Sequence, residues 1–478
     1  MAKPGLRFLS DDDVQAIHEA GLLILRDTGV KVHHAEARRL LAEAGATVDE
    51  HSRIAQLPEQ LVMASLAQTG KGYTLYGRDP GRTARFGHGD RVWMSSPGQY
   101  TWIDSQTGRR RGATVQDVQD AIRLGDALDH IHIVGAMGQP EEVSEIGSDV
   151  FLTSELVKGT TKPTRCWVRN GRTAGAILEI YRTVAGGAQA LQQRPMAEAF
   201  LEPISPLQLP EHGLDIVKAF AQAGQPVSIG PMAMTSATAP GTLAGTLAQE
   251  NAEILAGLVV TQLFAPGTPI MYGGIPHIMD PETGICSFGS PEQGLMAVAM
   301  VQMARFYGFP VYVNVGLTDA KTLDTQAGIE KTSSMLMGLL AGADTFGHCG
   351  ICGTDHGASL EWLYLDNELA AYVERIARGL TVDAETLAAE VVHRIGPGGN
   401  YLADEHTVRH FRDELWLSGP AWNRQSWDGW EAAGCISMNE RAREQVRTIL
   451  ATHRAEPMEE KLAAEVDRIV QCAQRELD

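Results

Sequence analysis

Between about residue 90 and residue 380 the chain repeats one pattern: a short apolar run, a glycine-containing or polar loop, then a longer segment of helical periodicity. The runs are RVWMSS, IHIVGAMG (131–138), TRCWVRNG (164–171), MAEAFLEPIS (196–205), PVSIGPMAM (226–234), PIMYGGIP (269–276), PVYVNVGLTD (310–319) and ADTFGHCG (343–350). Strands that are apolar along their whole length are buried on both faces, as parallel strands covered by helices are. Eight such units predict an α/β fold, a (β/α)8 TIM barrel, with a doubly wound open sheet as the alternative. No G-x-G-x-x-G follows an early strand and no P-loop is present, so nothing points to nucleotide binding.

The flanks read differently. Ser10 can cap a helix from Asp11 that stops at Gly29; HAEARRLLAEAG forms a second helix, and Pro58 opens a third that ends at Gly70. Residues 1–72 are therefore expected to be a helical segment. Residues 73–104 hold short strand-like pieces (TLYG, ARFG, RVWMSS, QYTWID) separated by turn signals, a small β-hairpin leading into a barrel that spans 73–380. Residues 381–478 return to helix and form a C-terminal extension.

The net charge is −19, with no basic stripe interleaved with aromatics, which excludes nucleic acid and anionic membranes as expected partners. The most apolar helical run, ILAGLVVTQLFA (254–265), is too short to span a bilayer and reads as a core helix. The N-terminus has no apolar signal region and the six cysteines are scattered apart from Cys349 and Cys352, so a cytoplasmic, reduced protein is expected.

In a barrel the chemistry sits at the carboxyl ends of the strands. Those positions carry Met137 and Gln139, Trp167 and Arg169, Glu202, Met232 and Met234, Tyr272 and His277, Asn314 and Asp319, and His348. This rim is aromatic, thioether and amide in character, with two carboxylates and no nucleophile elbow. It suits a methylated cation, because aromatic faces attract quaternary ammonium groups. Taken singly, Trp167, Tyr272 and Trp362 read more readily as ordinary core or interface aromatics. Glu202, in an apolar strand followed by proline, is costly unless it is paired or used.

The stretch FGHCGICGTDHG places His348, Cys349, Cys352 and His356 close together and raises the question of a metal. Structural zinc sites draw four N/S ligands from two short pairs, whereas here both pairs would come from one loop. On a regular strand His348 and Cys349 point to opposite sides. A hydrogen-bonding role for His348 at the rim is the preferred reading, and no metal is assigned.

The blocks YGGIPHIMDPETG, GSPEQGLMAVAMVQMARFYG, GLTDAKTLDTQAGIEKTSSMLMGLLAGAD and LEWLYLDNELAAY resemble the trimethylamine:corrinoid methyltransferase family, as do EHTVRHFRDELW and WEAAGCISMNERAREQVRTIL near the C-terminus. The resemblance runs from LSDDDVQAIHEAGLLILRDTGV to the end of the chain. It implies a TIM barrel that moves a methyl group from a methylated amine to Co(I) of a corrinoid (cobalamin) held by a separate corrinoid protein, with no cofactor bound tightly by this chain. Trimethylamine enzymes of the family carry pyrrolysine; this sequence has only standard residues, so it looks like the non-pyrrolysine branch, whose members act on quaternary amines such as glycine betaine. The resemblance also implies a homo-oligomer.

On this reading Glu202, His348 and Asn314 are the candidate catalytic residues. Glu202 offsets the substrate's charge, while His348 and Asn314 hydrogen-bond its polar end. Trp167 and Tyr272 hold the methylammonium group, and Arg169 pairs with a substrate carboxylate. Tyr100, Trp102, Trp362 and Tyr364 are further aromatics that loops could bring to the same place. Two readings compete: a zinc-dependent barrel enzyme built on His348 to His356, and a non-catalytic binding protein for quaternary ammonium compounds.

Overall fold

A computed structural model describes residues 4–105 and 107–477. Its centre is a parallel sheet of eight strands in chain order: β1 (Val92–Ser95), β2 (Val134–Gly135), β3 (Thr164–Arg165), β4 (Ala199–Leu201), β5 (Val227–Ile229), β6 (Ile270–Gly274), β7 (Val311–Val313) and β8 (Thr345–Cys349). Parallel ladders join β4 to β8 in sequence, and β8 pairs with β1, the first strand, so the sheet curls back on itself. A bridge from Met94 to Ile133 continues the order to β2, which pairs with β3. Among the described residues no ladder joins β3 to β4; there the Arg165 guanidinium meets the Glu198 carboxylate at 3.0 Å instead.

Each strand is followed by a helix on the outside: α1 (Val115–Ala127), α2 (Ser148–Gly159), α3 (Gly171–Ala185), α4 (Glu211–Gln222), α5 (Leu243–Phe264), α6 (Pro291–Tyr307), α7 (Thr325–Ala341) and α8 (Leu360–Arg378). The strands sort their side chains between two cores. Met94, Met271 and Tyr312 face inward with Ile133 and Ile275, whereas Trp93, Tyr272, Val311 and Val313 face the helices. That division is the two-residue period of a strand buried on both sides. Gly347 is required inside, because a Cβ there would lie 2.6 Å from the Tyr312 ring.

The amino end of the inner core is stoppered by the hairpin Tyr73–Tyr76 with Thr83–Phe86. Tyr73, Leu75, Ala84 and Phe86 pack onto the inner cluster. The hairpin is fixed by Gly87 N–H donating to Asp344, just before β8, and by Tyr76 N–H donating to the Pro195 carbonyl, just before β4. The end of the inner core left uncovered by the hairpin is the opposite, carboxyl end.

The first segment departs from the all-helical expectation. Its three helices (Asp11–Leu23, Ala35–Glu43, Glu59–Gln68) are present, but Val30–Val32, Thr47–Asp49 and Ile54–Gln56 are strands. They form a small sheet that Gln208–Leu209, in the loop after β4, joins in parallel. The three helices cover α5, and this second layer explains why nearly all of α5, including the apolar run at 254–265, is buried. The C-terminal extension wraps the outer layer: Met438–Thr452 packs on α1 and α8, and Glu460–Leu477 on α2 and α3. Among the described residues no helix is long and apolar enough to cross a membrane.

Candidate active site

The carboxyl ends of the strands enclose a cavity of about 560 Å³. Its walls are Gly98, Gln99 and Tyr100 after β1, Gln139 after β2, Trp167 and Arg169 after β3, Glu202 after β4, Met232 after β5, Ile285 and Phe288 after β6, and Thr354 to His356 after β8. A wider cleft of about 1030 Å³ adjoins it and shares Ile285, Cys286, Thr354 and His356 as walls. Backbone strain is concentrated around this end. Met137, Leu207, Ser236, His348, Thr354 and Asp355 all have positive φ although none is glycine, a conformation that costs about 1–3 kcal/mol each and persists where the surroundings impose it.

Below the cavity lies a chain of rings. Trp167 meets Phe200 edge-on with centroids 5.4 Å apart and His348 at 5.7 Å; Tyr312 meets Phe200 at 6.3 Å and His348 at 6.2 Å. Trp167 is held in place by its indole N–H, which donates to the Gly98 carbonyl at 3.2 Å. His348 gets there through a bulge. Phe346 pairs with Trp93 but Cys349 with Ser95, so β8 carries one extra residue, and His348 (φ 69°) sits within it. Burial, then the nearby Arg165 charge and His277, pushes its imidazole pKa down to about 3, so the ring is neutral. The Tyr312 hydroxyl donates to Asn314 Oδ1 at 3.2 Å, and the Asn314 carbonyl accepts from Gln293 Nε2.

Two carboxylates face the cavity. Glu202 is exposed at the cavity wall, and the protein around it partly desolvates the carboxyl and raises its pKa; it has no hydrogen-bond or ion-pair partner among the described residues. Asp355 lies within Coulombic reach. Burial pushes its carboxyl up to about 7, offset by a hydrogen bond from Gln99 and reinforced by the negative charge of Glu202. Across the cavity Arg169 bonds Glu145 at 2.8 Å and Gln139 at 3.1 Å, and its guanidinium lies 5.9 Å from the Tyr100 ring.

The loops are fixed from behind. The Asp319 carboxylate, after β7, accepts from Ser287 Oγ at 2.5 Å, Phe288 N–H at 2.8 Å, Gly289 N–H at 3.2 Å and Thr354 Oγ1 at 2.9 Å. One side chain thus joins the loops after β6, β7 and β8. The buried pair Lys331–Asp366, 2.8 Å apart, ties α7 to α8, and Asp366 also accepts the Gly350 N–H at 2.7 Å.

Of the sequence-derived candidates, the structure brings Trp167, Arg169, Glu202 and Tyr100 to the cavity wall. His348 and Asn314 lie beneath it, linked to it through Trp167 and Tyr312. Four aromatics do not reach it, of which Tyr364 is buried in the outer core. Tyr272 points outward and donates its hydroxyl to Asn251 of α5 at 2.9 Å. Trp102 is buried against Gly138 and Ala113, and Trp362 packs with Ala320, Ala327 and Cys352, its ring 5.1 Å from the Lys331 ammonium. Asp355, Gln99 and Phe288 escaped the sequence reading. Asp355 had a signal, since an acidic residue in a glycine-bounded loop, GTDHG, at a strand's carboxyl end must face the mouth.

The zinc reading is not supported by the geometry. His348 turns inward, Cys349 packs in the outer core, Cys352 sits against Trp362, and His356 is on the cavity wall. Their ligand atoms do not gather into a set. The Cys349 thiol is raised well above its ordinary pKa by burial and the Cys352 thiol to about 11, so neither is thiolate at neutral pH.

The comparisons with known proteins agree along the whole chain. The profile of the family described as Trimethylamine methyltransferase (MTTB) matches residues 2–477. The chain is 32% identical over 468 residues to the trimethylamine methyltransferase MttB of Desulfitobacterium hafniense, covering 98% of this chain and 94% of that protein. It is 31% identical to the Methanosarcina barkeri enzyme of the same name, covering 98% and 96%. It is 30% identical to a glycine betaine methyltransferase of Desulfitobacterium hafniense, covering 98% and 97%. With an α/β sheet that presents an aromatic, acidic cavity and full-length similarity to these methyltransferases, the chain belongs to the trimethylamine methyltransferase family.

Proposed function

We propose that this chain is a (β/α)8-barrel enzyme that takes one methyl group from a quaternary amine of the betaine type and passes it to a corrinoid carried by a separate protein. The observation that carries this reading is Glu202, a carboxylate without a partner of its own, open to a cavity walled by Trp167, Tyr100 and Phe288. An exposed carboxylate among aromatic rings is a favourable counter-charge for a cation that enters the cavity. A quaternary ammonium group is such a cation, and its methyl groups lie on the aromatic faces.

The quaternary nitrogen already carries the charge that makes an amine a good leaving group. As the methyl carbon leaves, the electron pair of the broken C–N bond stays on nitrogen and a neutral tertiary amine remains, so no protein acid is required. The protein's task is binding and aim. Glu202 and Asp355 hold the cation, Trp167 and Tyr100 flank it, and Arg169, oriented by Gln139, receives the substrate's carboxylate. The neutral state of His348 keeps a competing positive charge away from the cation. When bound, the corrinoid supplies Co(I), the nucleophile that accepts the methyl group. The adjoining cleft of about 1030 Å³ at the same mouth has room for a large planar group to approach. The 30% identity to a protein named glycine betaine methyltransferase supports the choice of substrate class.

On this reading the N-terminal segment ends near residue 72, the barrel near 380, and the extension fills 381–478, of which Asp478 lies outside the described residues. The enzyme works as a cytoplasmic homo-oligomer beside its corrinoid protein. The deciding experiment offers glycine betaine, proline betaine, carnitine, choline and trimethylamine to the purified protein with chemically reduced cob(I)alamin, and follows methyl transfer by absorbance. Transfer from a quaternary amine and none from trimethylamine is expected. Preference for trimethylamine overturns the substrate class, and tight betaine binding without transfer makes the protein a binder.

A further inference from the structure

The C-terminal extension carries a feature that the methyl-transfer chemistry does not use. The helix Glu405–Glu414 places His406 and His410 one turn apart on one face, their ring centroids 4.3 Å apart. Glu385, on the short helix Ala384–Leu387, faces both of them. Its Oε1 is 3.1 Å from His410 Nε2, and its backbone carbonyl is 3.1 Å from His406 Nε2. One ring nitrogen from each histidine and one Glu385 carboxylate oxygen lie within 4.8 Å of one another. Among the described residues this is the one group of three or more His, Cys, Asp or Glu side chains that converges in this way.

We infer that Glu385, His406 and His410 form a binding site for a divalent transition metal of the zinc type, clamping residues 384–387 to the helix 405–414. Two imidazoles at i and i+4 with a carboxylate from a second element are a donor set that zinc accepts, water filling the fourth position. Calcium and magnesium, which take oxygen ligands, are disfavoured by the two nitrogens. The surroundings supply a reason for a clamp. None of the helices Ala384–Leu387, Ala389–Ile395 and Glu405–Glu414 contains a buried residue, and Leu387, Val392 and Val408 are all exposed. A segment with so little core gains rigidity from a metal bridging its elements. The competing partner of Glu385 is Arg409 at 3.5 Å, with both side chains more than half exposed, a contact of little strength in water.

The site lies outside the cavity residues and needs no corrinoid, so it is tested independently of methyl transfer. Zinc chloride is titrated into the metal-stripped full-length protein by calorimetry, alongside His406→Ala, His410→Ala and Glu385→Gln variants, whose side chains are exposed enough to be replaced without unfolding the chain. The expected result is one zinc per chain in the unaltered protein, weakened by more than about tenfold in each variant. Zinc is also expected to slow proteolytic cleavage between residues 380 and 415 in the unaltered protein but not in His406→Ala. Equal binding by the variants, or no zinc bound, overturns the site. Unchanged cleavage despite binding overturns the clamp.

Discussion

Strand β4 carries a carboxylate just before its start and another just after its end, and their environments are opposite. Glu198 is buried with Arg165 at 3.0 Å and the Tyr73 hydroxyl, and the guanidinium lies over the Phe200 ring at 5.3 Å. Glu202, beyond the far end of the strand, has no partner among the described residues and opens into the cavity. The first carboxylate belongs to the fold: with it, Arg165 spans the seam between β3 and β4, where backbone pairing is missing. The second makes no such link: it stands exposed at the cavity wall, where the proposed reaction needs a counter-charge for its cation. At the two ends of one strand, a buried, paired charge stands against an exposed charge with no partner among the described residues.

The comparison breaks most decisively at Glu198. Replacing it with Gln strands a buried guanidinium, so Glu198→Gln is expected to lower unfolding free energy by about 3–5 kcal/mol, read from urea denaturation. Glu202→Gln is expected to do the reverse: stability unchanged or slightly raised, and kcat/KM for the quaternary amine down roughly 100-fold, about 3 kcal/mol. If Glu202→Gln destabilised the protein as much as Glu198→Gln, the distinction would collapse. A smaller effect belongs to Trp167→Ala, expected to raise KM about tenfold for the methylated cation, with Trp167→Phe recovering part of it.

The smallest effect sharpens the picture through pH. With the Asp355 carboxyl raised to about 7, chiefly by burial, it gains a proton as pH falls from 8 to 6 and the cavity loses negative charge. KM for the cation is therefore expected to rise toward acid pH by up to about tenfold, and Asp355→Asn to flatten that dependence.

Much of this was legible in the sequence. All eight runs of apolar residues contain the strands, because burial on both faces leaves an unbroken apolar signature that no loop imitates. Glu202 was legible for the complementary reason, as a charge set in an apolar strand. The orientation of single side chains was not legible. Tyr272 lies on a regular strand at a position that could face either way, and only the packing of α5, with Asn251 waiting for the hydroxyl, sends it outward. His348 depended on a bulge that adds one residue to β8, and a bulge leaves no periodic trace. The short strands of the first segment were missed because each is only three residues long, too short to show an alternating pattern, and Val30–Val32 is completed by Gln208–Leu209 far along the chain.

Asp319 gives the cavity wall a mechanical character. Because one carboxylate accepts from residues 287, 288, 289 and 354, the loops after β6 and β8 share a single latch on the loop after β7. Hydrogen bonds to a charged acceptor are worth about 1.5–3 kcal/mol each, so slipping one loop alone leaves the charge poorly solvated and loosens the other. The two loops are therefore pinned at one shared point, and a large ligand arriving from the cleft side meets a wall braced by a single carboxylate.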